Sequence, residues 1–168
     1  VVKSNPNLEP EKSTSLNFGI IAQPAKSFDF TVDYYRIKQN NLVGRDSAQY
    51  VVTHEAEHPE LVVRDPSTGR VTYVVRQFYN QDYVQTSGID YTANWRIGQV
   101  GPGKVSAKLD WNYLIEWNML AKGVLSEYAG NDGYALFHRN TGKVKLNWDA
   151  PVWSVSVGVN YLDGYTIA

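Results

Sequence analysis

The stretch KVSAKLDWNYLIEW, residues 104–117, decides the fold. Val105, Ala107, Leu109, Trp111, Tyr113, Ile115 and Trp117 alternate with Ser106, Lys108, Asp110, Asn112, Leu114 and Glu116. Successive side chains of a strand point to opposite faces, so this period of two predicts a strand with one apolar and one polar face. The segment before it repeats the pattern. Ile89, Tyr91, Ala93, Trp95 and Ile97 alternate with Asp90, Thr92, Asn94 and Arg96.

Working outward, the same alternation marks six strands in three hairpins. Strand one spans 14–23, with Leu16, Phe18, Ile20 and Ala22 on one face. Strand two spans 28–38, with Phe28, Phe30, Val32 and Tyr34 on one face and Asp29, Thr31, Asp33 and Tyr35 on the other. The third and fourth occupy 83–97 and 104–117. The fifth, 143–149, carries Val144, Leu146 and Trp148, and the sixth, 152–162, carries Trp153, Val155, Val157, Val159 and Tyr161. Turn signals at Pro24–Ser27, Gly98–Gly103 and Ala150-Pro151 make three short connections. Long loops at 42–82 and 118–141 make the other two. Val62 and Val63, with Val71, Tyr73 and Val75, predict a small hairpin inside the first loop. Helical periodicity is absent at any useful length.

Alternation alone leaves two readings open: a soluble antiparallel β-sandwich that binds carbohydrate or protein, and a membrane barrel wall. Strand length and loop asymmetry favour the wall. A tilted strand crossing a bilayer needs roughly 9–11 residues, whereas soluble strands run to about 5–6. Short turns on one side and long loops on the other are the outer-membrane arrangement. Trp95, Trp148 and Trp153 flank the short turns, and Tyr34, Tyr113 and Trp117 lie toward the long loops. Rings at both strand ends suit two membrane–water interfaces. Six strands fall short of the usual minimum of about eight for closure. Residues 1–168 are therefore expected to be a partial barrel segment, an internal piece that self-associates when isolated.

Composition narrows function further. Sixteen Lys and Arg against seventeen Asp and Glu give a net charge of −1, which leaves no electrostatic footprint for nucleic acid. Without cysteine, disulfides and thiolate metal sites are excluded. His54-Glu55-Ala56-Glu57-His58 matches the HExxH pattern, whose zinc chemistry needs both histidines on one helix face. Pro59 follows at once and no flanking helical period supports it, so a solvated acidic loop is expected instead. Paired carboxylates such as Asp29/Asp33 and Asp90/Asp110 sit on polar strand faces, where lining a lumen is the simpler role than glycoside hydrolysis. No catalytic set, metal or cofactor is expected. The polar-face candidates for ligand contact are Asp90, Asn94, Arg96, Lys108, Asp110, Asn112 and Glu116. The aromatic loop candidates are Tyr73, Phe78, Tyr79, Tyr128, Tyr134 and Phe137.

Several segments, in order, resemble the TonB-dependent outer-membrane receptors. Asn5-Pro6-Asn7-Leu8-Glu9-Pro10-Glu11-Lys12-Ser13 resembles that family's NPxLxPExS segment, which leads into a strand like Leu16–Ala22. Phe30–Lys38 resembles the strand that follows, and Gln85–Asp90 a TSGxD-type strand start. Trp153–Tyr165 resembles a later strand ending in Tyr-x-x-Gly-Tyr. The resemblance covers nearly the whole chain. It implies an all-β, antiparallel up-and-down meander of long hairpins, part of a transmembrane β-barrel of about 22 strands with a plugged lumen. This piece would supply six strands from the later half, without the plug or the remaining strands. The implied role is energised uptake of a scarce nutrient, such as a ferric siderophore or cobalamin, in the outer membrane of a Gram-negative bacterium. The implied partners are TonB, the plug domain, outer-membrane lipid and the nutrient.

Overall fold

The computed structural model describes residues 1–131 and 137–167. Its elements in chain order are β1 (Val2–Lys3), β2 (Lys12–Ala25), β3 (Phe28–Asn40), β4 (Val43–Arg45), α1 (Ala48–Thr53), β5 (Val62–Arg64), β6 (Val71–Val74), β7 (Arg76–Asn80), β8 (Tyr83–Val100), β9 (Gly103–Ala121), β10 (Val124–Glu127), β11 (Asn140–Asp149) and β12 (Ser154–Leu162). One antiparallel sheet in the order β12-β11-β9-β8-β3-β2 forms the wall. Every neighbour in that path is the next long strand in sequence, as an up-and-down meander requires.

Register puts like with like. Ile20, Val32, Tyr91, Trp111, Gly142 and Tyr161 make one row across the six strands, and Ala22, Phe30, Ala93, Leu109, Val144 and Val159 the next. Both rows belong to the apolar face. Among the described residues no second layer covers it. Phe18 is 66% exposed and Val159 64%, with Leu16, Ile20, Leu146 and Val157 similarly bare. Burying such a side chain is worth about 1.5–3 kcal/mol, so a face this size must meet acyl chains or protein. The sandwich alternative is not formed.

The buried apolar side chains lie elsewhere: Val51, Val62 and Val75 in the first long loop, Leu114 on the wall and Ala129 in the second loop. The first loop folds as a small unit. β7 pairs with β1 and β4, β5 pairs with β6, and α1 packs near β6. The expected hairpin at 62–75 is present.

Several boundaries differ from the sequence reading. The wall strands are mostly longer, because pairing continues past the membrane-length core into the loops. β8 and β9 run to Val100 and from Gly103, so Gly98 sits at a register shift inside the strand rather than in the turn. Strand six starts at Ser154, and Trp153 precedes it. α1 was not legible: six residues are too short to display a helical period. The loop expected at 118–141 holds the end of β9 and β10, joined through Lys122 and Gly123. Both have positive φ (51° and 74°), the geometry of a two-residue hairpin turn whose twist matches its strands.

Candidate functional site

The polar face of the wall carries the strongest constellation. Asp90 and Thr92 on β8, Asp110 and Asn112 on β9, Thr141 and Lys143 on β11 and Asn160 on β12 wall a trough of about 570 Å³. Its floor is the backbone of the row Tyr91, Trp111, Gly142 and Tyr161, whose side chains leave on the opposite face. Glycine at 142 serves that opposite face. A Cβ there would lie 2.0 Å from Trp111 Cε3, because the Trp111 ring crosses the glycine and stacks on Tyr161 at 5.2 Å between centroids.

Hydrogen bonds fix much of the polar face. Asn112 Nδ2 donates to Asp90 Oδ1 at 2.7 Å, and Asn94 Nδ2 to Asp29 Oδ2 at 2.7 Å. Arg96 donates to the Lys26 carbonyl at 2.7 Å and lies 3.4 Å from Asp29, which closes the short turn between β2 and β3. Lys108 pairs with Asp110 at 2.9 Å along one strand. Lys143 faces Asp110 across the register, yet among the described residues it makes no ion pair. Tyr35 lies over Gly88, where a Cβ would meet its hydroxyl at 2.4 Å. The trough thus offers two carboxylates, amides and an unpaired ammonium. That set suits polar docking of a protein segment or a solvated ligand.

Six of the seven polar-face candidates share this surface: Asp90, Asn94, Arg96, Lys108, Asp110 and Asn112. Glu116 does not. Ser87 pairs with Glu116 while Gly88 pairs with Leu114, so Ile115 is an extra residue on β9. A β-bulge of this kind changes which face later residues take. Glu116 therefore accepts from Gln85 Nε2 (2.7 Å), Ser87 Oγ (2.9 Å) and Asn118 Nδ2 (2.8 Å), on the side of Ile89 and Tyr113. Ser87 is 2% exposed beneath this network. Lys143 and Asn160 are not among the sequence candidates for ligand contact, although the alternation of their strands assigns them to the polar face.

The aromatic loop candidates separate into groups. Tyr128 and Phe137 gather around Trp117, at 5.3 and 4.6 Å between centroids. Tyr73 lies apart on β6 and is exposed. Phe78 sits under Arg45. Tyr79 donates to Asp46 at 3.3 Å and flanks Lys122. Tyr134 lies outside the described residues. Burial raises the Tyr79 phenol's pKa, with the Asp46 charge adding to it.

HExxH does not form its helix face. α1 ends at Thr53, His54 caps it and stacks on Tyr50, and His58 precedes a separate 3-10 turn at Pro59–Leu61. Glu55 is engaged by Arg64 through two hydrogen bonds of 2.8 and 2.6 Å, and the Arg64 hydrogen bond holds its carboxyl below the ordinary value. Among the described residues no three metal-binding side chains converge.

Comparison with known proteins follows the same lines. No curated protein matches the chain. In the solved structure of the siderophore receptor PirA from Acinetobacter baumannii, the matching region is 13% identical, with a TM-score of 0.56. That match covers 98% of this chain and 22% of the receptor's, and it speaks to fold alone. The family model described as TonB dependent receptor-like, beta-barrel matches residues 1–167. A bare apolar face, a polar trough behind it, long loops at one end and this match agree: the chain belongs to the TonB-dependent receptor β-barrel family.

Proposed function

We propose that this chain is a six-stranded section of the wall of an outer-membrane receptor that takes up a scarce nutrient, with a ferric siderophore the leading class. The observation that carries the reading is the opposition of two faces on one sheet. The side bearing Phe18, Leu146 and Val159 is uncovered, while the side bearing Asp90, Asp110 and Asn112 is hydrogen-bonded and concave. One face fits lipid and the other a plugged, watery lumen. Further strands complete the barrel, since six cannot close one. The trough then docks the plug domain, and TonB supplies energy from the inner membrane. The siderophore specificity of PirA supports the nutrient class by analogy.

Uptake of radiolabelled ferric siderophore by cells whose only receptor is the full-length protein tests this function. Uptake that disappears on deleting tonB, and falls when Asp90 and Asp110 are both changed to Leu, is the expected result. Uptake indifferent to TonB overturns it. The sandwich alternative has its own check: without detergent, the isolated chain is expected to self-associate, and a monodisperse monomer would revive that alternative.

A further inference from the structure

One patch of the lipid-side face is cationic. Arg36 and Lys38 follow Tyr34 at alternate positions of β3 and stand opposite Leu16 and Thr14 of β2. These four side chains and the Ser15 backbone enclose a groove of about 460 Å³ at the long-loop end of the wall. Below it the same face continues through Leu16, Phe18 and Ile20, all exposed.

The charge here is unspent. Five basic residues elsewhere are paired, Arg96 with Asp29, Lys108 with Asp110, Arg64 with Glu55, Lys122 with Asp46 and Arg139 with Glu127, whereas Lys143 and Lys145 of the wall, unpaired among the described residues, lie on its polar face. Among the described residues Arg36 and Lys38 have no carboxylate within ion-pair distance. Arg36 donates to the Gln85 amide at 2.9 Å, and Lys38 lies over the Tyr83 ring at 4.2 Å. The carboxylate in the same row is Glu116, two strands away at roughly 10 Å by strand spacing. Three donors already hold it.

We infer that this groove binds the phosphorylated headgroup of an outer-leaflet lipid, whose acyl chains descend over Leu16, Phe18 and Ile20. The inference rests on the membrane reading above. A guanidinium forks onto phosphate oxygens, an ammonium adds a point charge, and the Thr14 hydroxyl is a third donor. Apolar side chains directly beneath distinguish a lipid from a soluble anion, which gains nothing from them.

The test uses the full-length receptor in phosphatidylcholine nanodiscs containing a minor fraction of diphosphorylated lipid A. Native mass spectrometry reads the lipid A retained. Arg36→Gln/Lys38→Gln and Arg36→Glu/Lys38→Glu are each expected to lower retention about tenfold or more, the loss typical of two cations at an anionic surface. Lys145→Glu, on the polar face, should leave it unchanged. Equal retention by the wild type and both double variants overturns the inference while the membrane reading stands. Displacement of lipid A by millimolar inorganic phosphate overturns the lipid as its source. A receptor that fails to insert into the bilayer sinks the membrane reading and this site together.

Discussion

Lys122 Nζ lies 2.7 Å from Asp46 Oδ2, joining two loops separated by 76 residues of sequence. The Tyr50 and Tyr79 rings flank the same ammonium at 4.6 and 5.0 Å. The β9–β10 hairpin tip is thereby fastened to the loop unit that contains α1. Partial burial by itself would lower the Lys122 pKa. The Asp46 hydrogen bond and charge outweigh it, and the net shift is upward. A raised folded value gives a contribution that is complete below the ordinary lysine range and lost as pH rises through the shifted one. Lys122→Met is expected to cost about 0.5 kcal/mol, as for a partly exposed pair. Hydrogen exchange should accelerate at 46–54 and at 121–125 together, at neutral pH. Acceleration at only one of the two would deny the coupling.

Asp65 organises the β5–β6 turn. Its Oδ1 accepts from Ser67 Oγ at 2.5 Å and from the Ser67 and Thr68 amides at 2.8 and 2.9 Å. The Ser67 hydroxyl, then these amides, pull its pKa from 3.8 to about 2. A depressed value gives stability that is present above pH 3.8 and lost as pH falls through about 2. Carboxyl-carbon titration of labelled aspartates should find one resonance with that midpoint. Ser67→Ala should return it toward 3.8, and an unmoved midpoint would remove the assignment.

Gly142 makes room for Trp111. Gly142→Ala is expected to displace the indole from Tyr161 and destabilise the folded receptor by about 1–3 kcal/mol, the usual cost of overpacking. Gly158→Ala is the control, because the nearest atom to its Cβ would be the Val144 carbonyl at 3.7 Å. Denaturant unfolding followed by Trp fluorescence compares the two. Equal costs would mean that the stacked pair confers nothing.

Val144 occupies the middle apolar row. In a bilayer Val144→Arg should cost about 2–4 kcal/mol, whereas an arginine near the interface costs about 0–1. Lys145→Val, its neighbour on the other face, should stay within about 0.5 kcal/mol. Reversible unfolding from detergent or vesicles measures both. A harmless Val144→Arg would mean that this face never meets lipid.

Much of the wall was legible because its chemistry repeats every second residue. Leu109 and Asp110 are assigned to opposite faces by order alone, and register then brings Asp110 beside Lys143 and Asn112 beside Asp90. Irregular local features were harder to read. Leu114 is the one apolar residue at a polar-face position of this strand, but a single such residue does not locate an insertion, since Ile115 and Glu116 still fit uninterrupted alternation. Lys122-Gly123 is a weak turn signal beside Asn-Gly or Asp-Gly, so the sequence predicts a loop where β10 forms. Ala48–Thr53 forms fewer than two helical turns, stabilised by Ser47, whose side chain accepts from the Tyr50 amide at 3.0 Å. The Lys122–Asp46 contact depends on that hairpin and that loop unit at once. No local pattern could disclose it.

The unpaired Ile115 reaches further than its own position. Side-chain parity along a strand changes only when a residue is gained or lost, so this single insertion determines the orientation of all that follows up to the hairpin tip. Deleting it would turn over everything distal by half a rotation. Trp117 would trade its loop aromatics for the bilayer rim, Glu116 would swing into the lumen, and Lys122 would be carried away from Asp46.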